Sequence, residues 1–265
     1  MNMEMAKIDE NKTKMKDEDE ALLDALSEAR VVSIARDALG MAEEREAITE
    51  DCGALNEASV IMPKSFELGN LDISSKKTID AHIALYNEYI QKANRSSLEL
   101  DAFLDDQNID LDKYRDAQLR FQHYCSATHL HELFFENLGH SQNSSLNMDS
   151  LAYIRLQENF KGNFDLWQKS FLKLCESVKV DSWVICGLNL HSKKIENIII
   201  EGHNYQGLVG FFPLVVLDLW THAYFKDYGN DKKAWAHNFL LSIRWNVVER
   251  RAEQADKILK TFKHY

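Results

Sequence analysis

PLVVLDLWTHAYFKDYGN (Pro213 to Asn230) holds the most informative change of pattern in the chain. With the two residues before it, the segment opens as an apolar run, FFPLVVLDL, that reads as a buried strand. The run ends at Asp218. Taken alone, Asp218-x-x-x-His222 reads as an ordinary helical pair at i,i+4 spacing. Carboxylate and imidazole are also residue types that bind first-row metals.

Working outward, SWVICGLNL and KKIENIIIE read as two short strands around an HSKK turn. Before them, Leu156, Phe160, Phe164, Trp167, Phe171 and Leu174 recur at helical spacing. LGHSQNSSLNMDS is a polar connector. A helix is expected from about Leu111 to Asn137. An earlier one carries Ile79, Ile83, Tyr86 and Ile90, with Ser74 or Ser75 as its cap. A final helix is expected from about Lys232 to the end. Helices, then a few strands, then a helix suggest an α+β fold with a helical first half.

Three segments together resemble the iron/manganese superoxide dismutase family. Pro213 to Asn230 is similar to the family's P-L-L-x-x-D-V-W-E-H-A-Y-Y-x-D-Y-x-N. HELFFENL (His131 to Leu138) is similar to its H-x-x-F-W-x-N-L. TIDAHIALY (Thr78 to Tyr86) is similar to the segment around its first histidine. The resemblance runs from about Phe66 to Arg250. It implies a long helical hairpin followed by a small antiparallel three-stranded sheet with helices, and a metal held by His82, His131, Asp218 and His222. Three imidazoles and a carboxylate suit a redox-active first-row metal better than calcium or magnesium. Zinc has no redox change to offer. The resemblance narrows the metal to iron or manganese, one ion per chain, and the substrate to superoxide.

The resemblance also points to residues around the metal. His203, in EGHNYQ, stands where family members place a glutamine or a histidine bonded to the metal's solvent ligand; Gln206 is the alternative. Trp183, Trp220, Phe135 and Trp245 resemble the hydrophobic wall of the family's site. The family's channel histidine and tyrosine lie four and eight residues after the first ligand, where this chain has Tyr86 and Ile90. Tyr89 is expected to replace the tyrosine only if the helix shifts by one residue, about 100°. The glutamate of W-E-H, which bridges the family's dimer, is Thr221. The second tyrosine of H-A-Y-Y is Phe225. These changes predict a weaker self-dimer and slower proton delivery. His123, His129, His140, His191, His237 and His264 lie in no such motif and read as ordinary polar residues.

Composition bounds the remainder. The chain has 265 residues, 45% of them hydrophobic, and only 2 prolines. It is long enough for a sizeable core and poor in turn formers. The net charge of -11 argues against direct nucleic-acid contact. Cys52, Cys125, Cys175 and Cys186 are scattered and read as reduced thiols. No apolar run reaches membrane-spanning length, and the N-terminus has neither a signal core nor a transit composition. Residues 1–60 carry 16 acids and 7 bases, net -9, so nearly all the excess charge lies there. The expected organisation is an acidic, partly helical extension at 1–62, a helical hairpin domain at 63–145 and an α/β metal-binding domain at 146–265. Two functions follow. One is a superoxide dismutase of the cytoplasm, acting as a homodimer or in a hetero-assembly through residues 1–60 and the dimer face. The other is a dismutase-fold structural subunit of a larger intracellular or viral assembly.

Overall fold

The structure is a computed structural model and describes residues 60–68, 71–105, 108–139, 146–203 and 210–261. The helices expected within residues 21–50, together with Cys52, Gln206, His140 and His264, lie outside the described residues.

Two long helices form the first half: α1 (Lys76–Leu104) and α2 (Leu111–Asn137). Ser75 caps α1, its side chain accepting from Thr78 N. Asp110 caps α2 in the same way, accepting from Asp112 N and Lys113 N. Along α1 the buried positions Ile79, His82, Tyr86, Ile90 and Ala93 follow the helical period, so the first candidate ligand lies on the core face.

The second half begins with α3 (Leu151–Glu158) and α4 (Phe164–Ser177). It continues through β1 (Ser182–Asn189), β2 (Lys194–Glu201) and β3 (Phe211–Asp218). It ends with α5 (Thr221–Tyr228), α6 (Lys232–Leu241) and α7 (Trp245–Thr261). The sheet is antiparallel with order β2-β1-β3. Central β1 is buried along nearly its whole length, as a strand covered on both faces must be. A register shift between Cys186 and Gly187 faces Pro213, which has no N–H for the ladder and so sits on an outer strand at an irregularity. A Cβ at Gly187 would meet Phe212 O, so only glycine allows this close approach.

The single closing helix expected from Lys232 is two helices. The C-cap Ser242 leaves helical geometry, Ile243 pairs with Leu138 in an isolated bridge, and Arg244 N donates to Asn137 O. That local pairing between the chain's two halves outcompetes continued helix.

Two polar clamps position the candidate ligands. Asp227 on α5 accepts from Ser74 Oγ and Ser75 N at the start of α1, both at 2.8 Å. Tyr228 Oη donates to Ile73 O at 2.6 Å. At the other end of the site, Asn137 Oδ1 accepts from Val216 N of β3 and from the buried Arg251 guanidinium of α7. Arg251 also donates to Leu214 O, Leu133 O and Glu136. The clamps hold α1 to α5 and α2 to β3, while one hydrophobic cluster from Leu68 to Ala255 fills the space between. Among the described residues no helix is long and apolar enough to cross a membrane.

Candidate metal centre

Four elements each bring one side chain to a common point. His82 comes from α1, His131 from α2, Asp218 from the end of β3 and His222 from the first turn of α5. One ligand atom from each lies within 4.8 Å of all the others. Asp218 Oδ2 stands 3.1 Å from His82 Nε2, 3.3 Å from His222 Nε2 and 3.8 Å from His131 Nε2. Ligands about 2.1 Å from a shared ion, at right to trigonal angles, are separated by roughly 3.0–3.6 Å. Asp218 and His131 are fully buried, and His82 nearly so.

The donor chemistry fits a cation. His131 Nδ1 is 2.7 Å from Ala127 O and must donate to it, because a carbonyl only accepts. In the neutral ring this leaves Nε2 as a lone pair aimed into the site. His131 Nε2 and His222 Nε2 are both buried without a hydrogen-bond partner. For His131, whose tautomer is fixed, this is an orphaned acceptor, costly unless an ion or proton answers it; His222 Nε2 has the Asp218 carboxylate 3.3 Å away. Burial keeps His82 and His131 below the usual histidine range, so both rings stay neutral. Burial by itself would raise the Asp218 pKa. The imidazoles of His222 and His82 outweigh it and hold the carboxyl well below the usual range. Its backbone is pinned as well, since Trp235 Nε1 donates to Asp218 O and Trp220 N donates to Asp218 Oδ1.

The surrounding wall is aromatic. Phe134 and Phe135 flank His82, and Trp183 packs edge-on against His131 at 5.1 Å. Trp220 lies beside His222. Trp245, expected in this wall, packs instead on Phe164 and Trp167. Its place at the start of α7 directs it to the α4 side of the core.

His203 is buried, 5.9 Å from the His131 ring, and stacks flat on Trp220 at 4.3 Å. Trp183 Nε1 donates to its Nδ1 at 3.1 Å, and its Nε2 lies 3.2 Å from Tyr89 Oη. Indole is only a donor, so Nδ1 must be the acceptor. The neutral ring therefore carries its proton on Nε2 and donates to Tyr89. Burial pushes the His203 pKa down to about 4, which preserves this tautomer. Burial, with Asp218 nearby, pushes the Tyr89 phenol up to about 12, so it keeps its own proton at neutral pH.

Tyr89 reaches this position without a helix shift, contrary to expectation, because α1 is unbroken from Lys76 to Leu104. Seven residues is almost two full turns, so position i+7 lies only about 20° from His82 around the axis. Tyr86, in the family's channel-histidine position, turns into the core. Its hydroxyl donates to Glu132 Oε1 at 3.1 Å and accepts from Lys64 N at 3.0 Å. Lys64 Nζ in turn pairs with Glu132 at 2.7 Å. No motif announced that network, since Lys64 and Glu132 are 68 residues apart. Thr221 donates through both N and Oγ1 to Asp181 Oδ1, which caps α5 from the segment before β1. Phe225 is half exposed.

A fold of two long helices and a small antiparallel sheet encloses three imidazoles and one carboxylate, a mixed N/O donor set that could hold one first-row metal ion. Residues 151–251 match the family model described as iron/manganese superoxide dismutases, C-terminal domain. A superoxide dismutase [Fe] of Aquifex aeolicus is 29% identical over 205 residues, covering 74% of this chain and 92% of its own length. A superoxide dismutase [Mn/Fe] of Aeropyrum pernix is 24% identical, covering 66% and 80%. A superoxide dismutase [Mn] 2 of Haloferax volcanii is 25% identical over 138 residues, covering 52% and 67%. These matches support membership in the iron/manganese superoxide dismutase family, and the relatives' names point to an iron or manganese cofactor. These comparisons lend no support to the structural-subunit alternative.

Proposed function

We propose that the chain dismutates superoxide, converting two superoxide anions and two protons into oxygen and hydrogen peroxide, with His82, His131, Asp218 and His222 holding one iron or manganese ion. The observation that carries this reading is the convergence of one buried carboxylate oxygen and three imidazole Nε2 atoms, that of His131 without a hydrogen-bond partner. The ion supplies a reversible one-electron change. The protein supplies geometry and protons. Ala127 O and Asp218 orient the imidazoles. The aromatic wall keeps water sparse and charge interactions strong.

Proton supply is assigned to Tyr89. Its oxygen accepts from His203, which leaves its own O–H free to point toward a peroxide-forming anion. Trp183 holds His203 in the tautomer that keeps this direction. The phenol stays protonated and is ready to donate at each turnover.

The test is metal analysis and superoxide decay on one purified sample. The expected result is about one iron or manganese per chain, with decay well above that of the free ion. A fully loaded chain that leaves superoxide untouched would defeat the proposal.

A further inference from the structure

We propose that His123 is a positioning residue that shields the buried His203–Tyr89 pair from solvent, through the shape of its ring. The kinetic meaning of this shield rests on the dismutase reading above; the contact itself does not.

The argument starts from α2. His123, Ala127 and His131 stand at i, i+4 and i+8, so they share one face of the helix. Ala127 contributes only a methyl group, which leaves a gap between the two imidazoles. The ring of His203 lies 5.0 Å from His123 and 5.9 Å from His131. The other sides of His203 are taken: Trp220 covers a face, Trp183 holds Nδ1 and Tyr89 holds Nε2. Of these five neighbours only His123 is itself exposed, yet His203 is 1% exposed.

His123 meets His203 edge-on, at 72° between planes, and no hydrogen bond joins the two rings in that contact. Tyr124 extends the cover, 5.3 Å from His123 and 6.3 Å from Tyr89. Partial burial, with Lys92 nearby, keeps His123 below the usual histidine range, so the covering ring is neutral near pH 7. Water admitted at this place would compete for His203 Nε2–H and for the Tyr89 oxygen, loosening the direction in which Tyr89 offers its proton.

The test is site-resolved acylation of the full-length chain with diethyl pyrocarbonate, read by peptide mapping. In the unaltered protein His123 should react while His203 is protected by about tenfold or more in rate. His123→Ala should raise the His203 rate by about tenfold. His123→Phe should keep the protection, because a ring of similar shape fills the gap. Fully buried His131 is the control for an intact fold; if it too reacts in His123→Ala, His123→Asn replaces that variant. Continued protection of His203 in an intact Ala or Asn variant would overturn the proposal. So would loss of protection in His123→Phe, which would make the imidazole itself the requirement. In the metal-loaded chain the Ala variant should lose turnover more than KM, with Phe restoring it. A loaded chain without dismutase activity would sink the functional reading and leave the acylation pattern standing.

Discussion

Trp183→Phe isolates the hydrogen-bond direction on which the proton-donor assignment depends. The substitution removes the indole N–H that donates to His203 Nδ1 at 3.1 Å and keeps an aromatic ring against His131. Nδ1 is then a buried acceptor without a donor, a defect worth about 1–3 kcal/mol. Replacing a fully buried indole by the smaller phenyl adds about 1–2 kcal/mol through the space left behind. His203 can recover part of this by moving its proton to Nδ1. Nε2 then becomes the acceptor, and Tyr89 must turn its O–H toward His203 and away from the site. The expected outcome is a loss of stability of about 2–4 kcal/mol by urea denaturation. Superoxide turnover in the proton-limited range should fall by about one to two orders of magnitude, within the span of general acid catalysis. Nitrogen-15 spectra of His203 in the metal-free chain should move from the Nε2–H to the Nδ1–H pattern. If those spectra already show Nδ1–H in the unaltered protein, or if turnover survives the tautomer change, the reasoning is wrong.

Other consequences can be checked separately. His131→Ala should leave a folded chain whose metal content falls from about one ion to near none, measured by elemental analysis, since the remaining three ligands no longer enclose the ion. Removing the metal with a chelator should lower the thermal midpoint and adding it back should restore it, with about 4 kcal/mol regained at a thousandfold excess of free ion over Kd. Arg251→Met should cost about 3–5 kcal/mol in urea unfolding, because it removes one buried donor from each of Asn137 Oδ1, Leu133 O and Leu214 O and the close cation from the Glu136 carboxylate. Glu136 gives a pH signature. Burial acts against its ionised form, but Arg251 and Lys64 outweigh it and lower its pKa. The stability it contributes is therefore complete above the ordinary carboxylate range and is lost as pH falls through the lowered folded value. The stability gap between the unaltered chain and Glu136→Gln should be largest near neutral pH and should close on acidification.

The candidate ligands were legible because each sits in a short segment whose neighbours are also constrained. Asp218 ends a strand that must be apolar, and His222 opens the helix that follows it. His82 and His131 were singled out by the resemblance of their segments, and the structure places both on helix faces that meet the core. The limits of α2 and of the three strands follow equally from caps and apolar runs. The break between α6 and α7 was not legible, because the bridge from Ile243 to Leu138 joins residues 105 apart. The Tyr89 case shows the boundary well: the i+7 spacing is in the sequence, but what its hydroxyl meets depends on a loop 114 residues away. Tyr86 turned to Glu132, Thr221 to Asp181, and His123 to His203 for similar reasons. By itself the sequence carried the helical hairpin and the small sheet, through patterns local to each segment, and it carried the candidate ligand set through the joint resemblance of three segments. Only the tertiary structure decided which polar groups answer one another around that set, because a hydrogen bond is specified by distance and angle in space and segments far apart in the chain carry no record of their meeting.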